Sequence, residues 1–296
     1  MACSMKKPLF ATVVFIALVA SGSAGQPPDH AKILGIRDVR ISCGRDCAAT
    51  SFYSKLFPLS GDCWDCGSPP ETPFYVNDGQ QIFLTKINPP ADSYVTEIVF
   101  ATDNLKLLQR NVEERGLQVA FERDSLRIVD PEGHQIRFVQ PLEKRLRYSH
   151  ANHGMRIIHA GFVVNDREAM DKFYRDVLGF HVYWHGGMKD GKTDWVDMQV
   201  PDGTDWIEYM LNVPANADKH ALGVMNHIAL GVPDVRAAAE QLKKNGVKLT
   251  EEPKIGRDGK WQLNLYDPDQ TRVELMEYTP AEKPCCAEYT GAHPKP

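Results

Sequence analysis

The chain has no excess of basic residues: 34 Lys and Arg stand against 39 Asp and Glu, a net charge of -5. A nucleic-acid partner requires a basic patch or stripe, and the overall balance gives no such footprint, so no nucleic-acid partner is expected. The chain also lacks an apolar run long enough to cross a bilayer, which takes about 20 residues. Its longest such run, 9–20, is preceded by Lys6 and Lys7 and followed by the small residues Gly22-Ser23-Ala24. That order is the pattern of a signal peptide cleaved after Ala24. The expectation is an exported protein, periplasmic or secreted, without stable membrane insertion once residues 1–24 are removed; a retained anchor is the rival reading. Cysteine is scarce, with 7 in 296 residues, and six remain after such cleavage. Cys43-x3-Cys47 and Cys63-x2-Cys66 are disulfide candidates in an oxidising compartment, with a structural zinc site as the alternative. Cys285 and Cys286 lie in a Pro-rich tail, which they either tie down or leave free.

What the chain does have is an internal repeat. FYSKLFPL (52–59) matches FYRDVLGF (173–180), NVEERGLQV (111–119) matches KKNGVKL around Gly246, and DPEGHQIRF (130–138) matches DPDQTRVEL (267–275). The offsets between copies are 121, 130 and 137, so the order is kept and the loops of the second copy are longer. Two homologous domains are expected, 33–142 and 155–280, joined by a polar linker at 143–154 and followed by a tail at 281–296. Within the second copy, MRIIHAGFVV reads as a strand, Asn165-Asp166 as an N-cap, and REAMDKFYRDVL as a helix ended by Gly179. HVYWHGG, TDWVDMQVP and DWIEYMLNV read as three strands between Gly and Asp turns. The order then restarts: NHIALGV as a strand, PDVRAAAEQLKKNG as a helix with Pro at its start and Gly past its end, then three more strands. One copy is thus strand–helix–three strands, twice, an α+β fold.

His159 and His227 fall in the first strands of these two modules, and Glu208 and Glu274 in their last strands. A pseudo-twofold relation between modules would bring all four together. Two imidazoles with one or two carboxylates suit a divalent metal such as zinc, iron(II), manganese or nickel. An unpaired His or Glu in an otherwise apolar strand is costly to bury, which favours a shared partner over four separate explanations. Strand alternation puts Trp206 and Met210 on the face of Glu208; a one-residue slip would turn Ile207 and Tyr209 inward instead. Trp184, Trp206, Tyr209, Trp261 and Tyr266 cluster in the same half, and Trp206, Tyr209, Trp261 and Tyr266 are taken as candidate substrate contacts. His185 and Lys260 are candidates for assisting proton transfer.

The marks HAGFVV-ND, FYRDVLGF, NHIALGVPD and DPDQTRVELMEY resemble the vicinal oxygen chelate superfamily, which includes glyoxalase I, type I extradiol dioxygenases, bleomycin and fosfomycin resistance proteins, and epimerases. The resemblance covers nearly all of 33–280 and is stronger in the second half. It implies tandem domains, each of two βαβββ modules forming a curved mixed sheet around a cleft, with the metal in the cleft on His159, Glu208, His227 and Glu274. Glyoxalase-like members use such a four-residue set, whereas extradiol dioxygenases use two His and one Glu. The first copy lacks it: Asp38, Glu97 and Arg137 stand at the places of His159, His227 and Glu274, and Leu84 is the rough match to Glu208. A degenerate first domain and one metal per chain follow, with Asp38, Glu97 and Arg137 either salt-bridged or scattered on the surface.

The implied function is a lyase or isomerase acting on a small substrate with vicinal oxygens through an enediolate-type intermediate, with Glu208 or Glu274 as the base that moves the proton. An iron(II) extradiol dioxygenase is one alternative, and a non-catalytic small-ligand-binding protein is another. No clear basic pair suits the carboxylates of glutathione. Two complete domains allow a monomer as well as a homodimer.

Overall fold

The computed structural model describes residues 30–44, 48–57, 71–86, 94–141 and 155–296. The signal-peptide pattern, the linker, and Cys47, Cys63 and Cys66 lie outside them. Cys43 is disulfide-bonded, which removes it from a zinc site. Cys285 and Cys286 are bonded to each other, so this pair does not staple the tail to the body.

The chain builds two mixed sheets, one of them curved into a half-barrel. The first contains β1 (Ile33–Cys43), β2 (Glu71–Asn77), β3 (Gln80–Lys86), β4 (Val95–Thr102), β5 (Ala120–Glu122), β6 (Ser125–Val129) and β7 (Gln135–Val139). Helices α1 (Ala49–Leu56) and α2 (Leu105–Glu114) follow its two modules' first strands. The second sheet contains β8 (Arg156–Val163), β9 (His181–Gly186), β10 (Trp195–Gln199), β11 (Trp206–Met210), β12 (His227–Val232), β13 (Lys254–Ile255), β14 (Trp261–Tyr266) and β15 (Arg272–Glu277). Its strand order is β13-β14-β15-β12-β8-β11-β10-β9, with the first strands of the two modules antiparallel at the centre. A sequence module therefore becomes half a sheet, and the pseudo-twofold axis passes between β8 and β12.

The helices follow from local chemistry. Asp166 accepts from the Ala169 N–H and starts α3 (Arg167–Asp171), which widens into a π-helical stretch, Lys172–Val177. Gly179 closes it at φ +81°, a conformation open to Gly at little cost. Asp234 accepts from Arg236 and Ala237 N–H at the start of α5 (Val235–Lys244). A short α4 (Lys219–Met225), absent from the sequence reading, leads into β12.

A single hydrophobic core runs through both halves, with Phe100 of β4 meeting Phe180 edge-on at 5.5 Å. The repeat anchors do more than mark the copies. Tyr174 donates to Asp130 at 3.0 Å and Tyr53 donates to Asp267 at 3.4 Å. Each copy's FY helix thus reaches the other copy's Asp-Pro turn. All four residues are buried, and a buried phenol needs such a partner. A smaller apolar cluster, with Ile158, Tyr183, Trp184, Trp206 and Met276, lies on the other face of the second sheet and is covered by the tail through Cys285, Ala287 and Tyr289.

Candidate metal centre

Strand β11 runs parallel to β8, and β15 runs parallel to β12. Two rows of paired residues therefore cross the middle of the second sheet. One reads Asp197, Glu208, Gly161, His227, Arg272; the next reads Gln199, Trp206, His159, Ala229, Glu274. Residues paired across strands share a face, and so do residues two apart along a strand. Both rows thus point the same way, and the register with Glu208 facing the cavity is the one adopted. The alternate residues of β11, Ile207 and Tyr209, are turned into the core.

The four side chains converge. The two Nε2 atoms are 3.1 Å apart. Glu208 Oε2 lies 2.9 Å from His227 Nε2 and 3.7 Å from His159 Nε2. Glu274 Oε2 lies 3.7 Å from His159 Nε2 and 4.0 Å from His227 Nε2. Ligand atoms of His159, Glu208 and His227 all fall within 4.8 Å of one another, leaving Glu274 as the wider member. A metal with bonds near 2.1 Å holds neighbouring ligand atoms about 3.0–3.4 Å apart, so the set needs only small side-chain adjustments to close on an ion. His227 Nδ1 faces the Met225 carbonyl at 3.1 Å. In the neutral ring this puts the proton on Nδ1 and leaves the Nε2 lone pair facing the cluster.

Burial dominates the electrostatics. It holds His159 well below the ordinary imidazole range, reinforced by the neighbouring His227, Arg272 and Lys260. His227 is lowered in the same way, by burial and then by Arg272. Both rings are neutral at pH 7, the form that ligates. Burial raises Glu208 and Glu274 to about 7 each, against the pull of Arg272. Two carboxyls destabilised as anions and two bare imidazole nitrogens form a donor set that a divalent cation would satisfy, and the residues present fit one.

A cavity of about 370 Å³ opens onto this cluster, bounded by His159, Glu208, Arg272 and Glu274 below and by Trp184, Trp195 and Trp206 along the walls. Of the candidate substrate contacts, Trp206 lines it, as does Trp184. Tyr209 does not, because it packs in the core against Phe162 and Tyr174. Trp261 packs against the main core under the Arg236 guanidinium, at 4.4 Å. Tyr266 shares the face of its strand partner Arg272 but sits outside the lining, its hydroxyl donating to Glu251 at 2.9 Å. His185 is likewise outside the lining. Lys260 is fully buried behind Trp206, with Nζ 4.8, 5.4 and 5.2 Å from the rings of Trp206, Tyr183 and Tyr289. The aromatic count of the segment was therefore a poor guide, since alternation sends half of those rings to the helix side.

Three elements of the site escaped the sequence reading. Arg272 was within reach, since it is two residues before Glu274 and so on the same face. Asp197 faces Glu208 only because β10 pairs with β11 in this register. The tail gave no periodic signal, yet the Tyr289 ring packs at a tilt against Tyr183, with ring centroids 4.7 Å apart, and its hydroxyl donates to the Asp258 carbonyl at 2.8 Å.

The first sheet repeats the rows with other residues. Phe83, Arg40, Glu97 and Gln135 form one, and Gln81, Asp38, Val99 and Arg137 the other. Asp38, Glu97 and Arg137 thus stand where His159, His227 and Glu274 do. Phe83, not Leu84, stands at the place of Glu208; Leu84 points into the core. Arg40 replaces Gly161. Its guanidinium pairs with Glu97 at 2.7 Å and Glu71 at 3.0 Å and lies over Phe83 at 4.8 Å. Arg137 also pairs with Glu97, at 3.0 Å. A fixed guanidinium occupies the middle of this half's cluster, so the salt-bridged alternative is the one the fold adopts for Glu97 and Arg137, while Asp38 pairs with Arg37 at 2.9 Å.

Gly161 tests the geometry. A Cβ there would lie 2.1 Å from His227 Cε1. Gly161→Ala is expected to push His227 out of line and weaken divalent-metal affinity by about 100-fold, at a stability cost of about 1–3 kcal/mol. Isothermal titration with zinc would measure it; wild-type affinity in the variant would show that His227 is not held as described.

The chain is similar to known proteins both in sequence and in fold. The model of the Glyoxalase/Bleomycin resistance protein/Dioxygenase superfamily matches residues 156–275. Lactoylglutathione lyase of Haemophilus influenzae is 30% identical over 125 residues, covering 42% of this chain and 93% of that protein. Mitochondrial methylmalonyl-CoA epimerase of Mus musculus is 31% identical over 125 residues, 38% of this chain and 67% of that protein. Among solved structures, the 2,3-dioxygenase LapB from Pseudomonas sp. KL28 superposes with a TM-score of 0.60 at 16% identity, covering 90% of this chain and 95% of that one. At that identity the likeness speaks for the fold, and it extends across both halves. With residues 156–275 matched in sequence and the two-sheet architecture matched in structure, this chain belongs to the Glyoxalase/Bleomycin resistance protein/Dioxygenase superfamily.

Proposed function

We propose that the protein is a metal-dependent lyase or isomerase acting on a small substrate that presents two neighbouring oxygens, with one metal per chain bound by His159, Glu208, His227 and Glu274. The observation that carries this reading is the second carboxylate. Glu208 lies 2.9 Å from His227 Nε2 in the same cluster and keeps about 13% of its side chain open to the cavity, against 5% for Glu274. A bound divalent ion would supply Lewis acidity toward a substrate carbonyl and so acidify the adjacent C–H. The chain's residues do the rest. Neutral His159 and His227 present their Nε2 atoms, the buried Glu274 anchors, and Trp184, Trp195 and Trp206 exclude water from one side of the substrate. Glu208, at the cavity, takes the proton from the carbon and returns it to the neighbouring position.

The dioxygenase reading rests on two His and one Glu and leaves Glu208 without a role at the cluster. Glutathione finds little support at the mouth of the cavity, where Lys254 pairs with Glu251 at 2.8 Å and Arg257 pairs with Asp190. Export through a signal peptide belongs to this proposal on the strength of the Lys6–Ala24 pattern alone. Elemental analysis of natively purified protein tests the core of it: the expected result is one equivalent of a divalent metal per chain. Iron, together with oxygen uptake when catechols are added, would replace it by the dioxygenase reading. Metal-free protein carrying a tightly held small molecule would replace it by the binding-protein reading.

A further inference from the structure

Arg272 stands beside the cluster in the same row as His227 and Glu208. Its side chain is only 14% exposed, and its nearest acids, Glu208 and Glu274, are 3.9 and 4.0 Å from Nη2, too far for hydrogen bonds. Its Nε is buried with no hydrogen-bond partner among the described residues. A divalent ion on the two carboxylates would offset both of their charges, and the guanidinium would then be a buried cation with no counter-charge of its own. The remaining buried charges do not serve it. Asp197 and Asp258 act on Lys260, and Asp197 stands four strands away from Arg272 in the row. A guanidinium left in this state on a cavity wall is a receptor for an oxyanion, and its fork matches a carboxylate.

We infer that Arg272 binds an anionic oxygen group of the substrate, which narrows the substrate class to small organic anions whose carboxylate adjoins the vicinal oxygens, as in 2-oxo- and 2-hydroxycarboxylates. This rests on the proposed metal site. In the second module Arg272 holds the position that Trp206 holds in the first, since β15 corresponds to β11 and each residue is two before its module's Glu. The cavity therefore offers one stacking wall and one cationic wall on opposite sides of the cluster. A flat anion would lie with its body along the tryptophans and its carboxylate toward Arg272.

The test uses the full chain loaded with cobalt(II) and two bidentate probes, oxalate and acetohydroxamate. Both offer neighbouring oxygens to the metal, but only oxalate carries further carboxylate oxygens for Arg272. Affinities are read from changes in the cobalt visible spectrum. Arg272→Met is expected to weaken oxalate at least 30-fold while acetohydroxamate stays within threefold, with cobalt stoichiometry unchanged. If Arg272→Met loses cobalt, Arg272→Gln, which keeps a polar side chain without the charge, carries the same comparison with the same expected split. Equal losses for both probes, as expected of a residue that only steadies Glu208 and Glu274, or no loss for either, would overturn the inference alone. Failure of the wild-type chain to bind cobalt would remove the metal site and this inference with it.

Discussion

Replacing Glu208 by Gln is expected to lower turnover by about 10³-fold or more while the protein keeps most of its metal, because general-base transfer by a positioned carboxylate contributes roughly 10²–10⁴-fold. The asymmetry comes from the cluster. His159, His227 and Glu274 remain as ligands, and the Gln oxygen can still face the metal, but the amide cannot accept the substrate proton. Glu274→Gln is the control. Glu274 is buried on the central row beside Ala229 and His159, so its loss acts first on metal affinity and only through that on turnover. Elemental analysis beside kcat for both variants separates the roles. An active Glu208→Gln enzyme with full metal content would remove Glu208 from the reaction and return the choice to Glu274 or to the dioxygenase chemistry.

Removing the metal is expected to lower the melting temperature and to make stability fall as pH rises from about 6.5 to 8.5. In the metal-free protein Glu208 and Glu274 titrate near 7, raised by burial from an ordinary value of 4.5. A carboxyl whose folded value is raised binds its proton more tightly when folded. Its contribution is fully present below 4.5 and is lost as pH climbs through about 7. His159 and His227 run the other way, since their lowered folded values make protonation unfold the chain, but that effect fades above their ordinary 6.5. Above that pH the carboxyls govern. A metal at about 1,000 times its dissociation constant adds about 4 kcal/mol, or roughly 8–16 °C for a chain of this size. Its benefit is expected to grow with pH, because it stabilises the anions the cavity otherwise disfavours. Thermal melts at pH 6.5, 7.5 and 8.5, with and without a chelator, measure this. Asp258 and Asp267 are also raised, to about 6 and about 7, so the difference between loaded and stripped protein is the quantity to follow. Identical melting curves with and without chelator would exclude a metal on these four residues.

Much of the fold was legible in the chain because the repeat tied three distant segments to their copies. FYRDVLGF, GVKL and DPDQTRVEL each reappear in order, and strand–helix–three strands is the pattern their spacing leaves room for. The four cluster residues were legible for the same reason: they hold matched places in successive modules, and period-2 alternation puts Glu208 and Trp206 on one face. The aromatics were not. Tyr209 and Trp261 are as hydrophobic as Trp206 and lie as near to the motifs, and only their parity on a paired strand sends them to the core. Glu208 and Glu274 could not be ranked either, because that ranking depends on side-chain distances across four strands.

What the sequence determined by itself is the repeat, the module order and the identity of two histidines and two glutamates at equivalent strand positions. These follow from local patterning, which every residue carries with it. The tertiary structure alone decided the rest. It set Gly161 between Glu208 and His227, put Arg40 at that place in the first half, and brought Arg272 and Asp197 onto the cavity face. It also crossed Tyr53 and Tyr174 to the opposite copies' Asp-Pro turns and laid Tyr289 of the tail over Tyr183. Each of these depends on which strand pairs with which and in what register, and pairing is a long-range choice made by the burial of both sheets against one core.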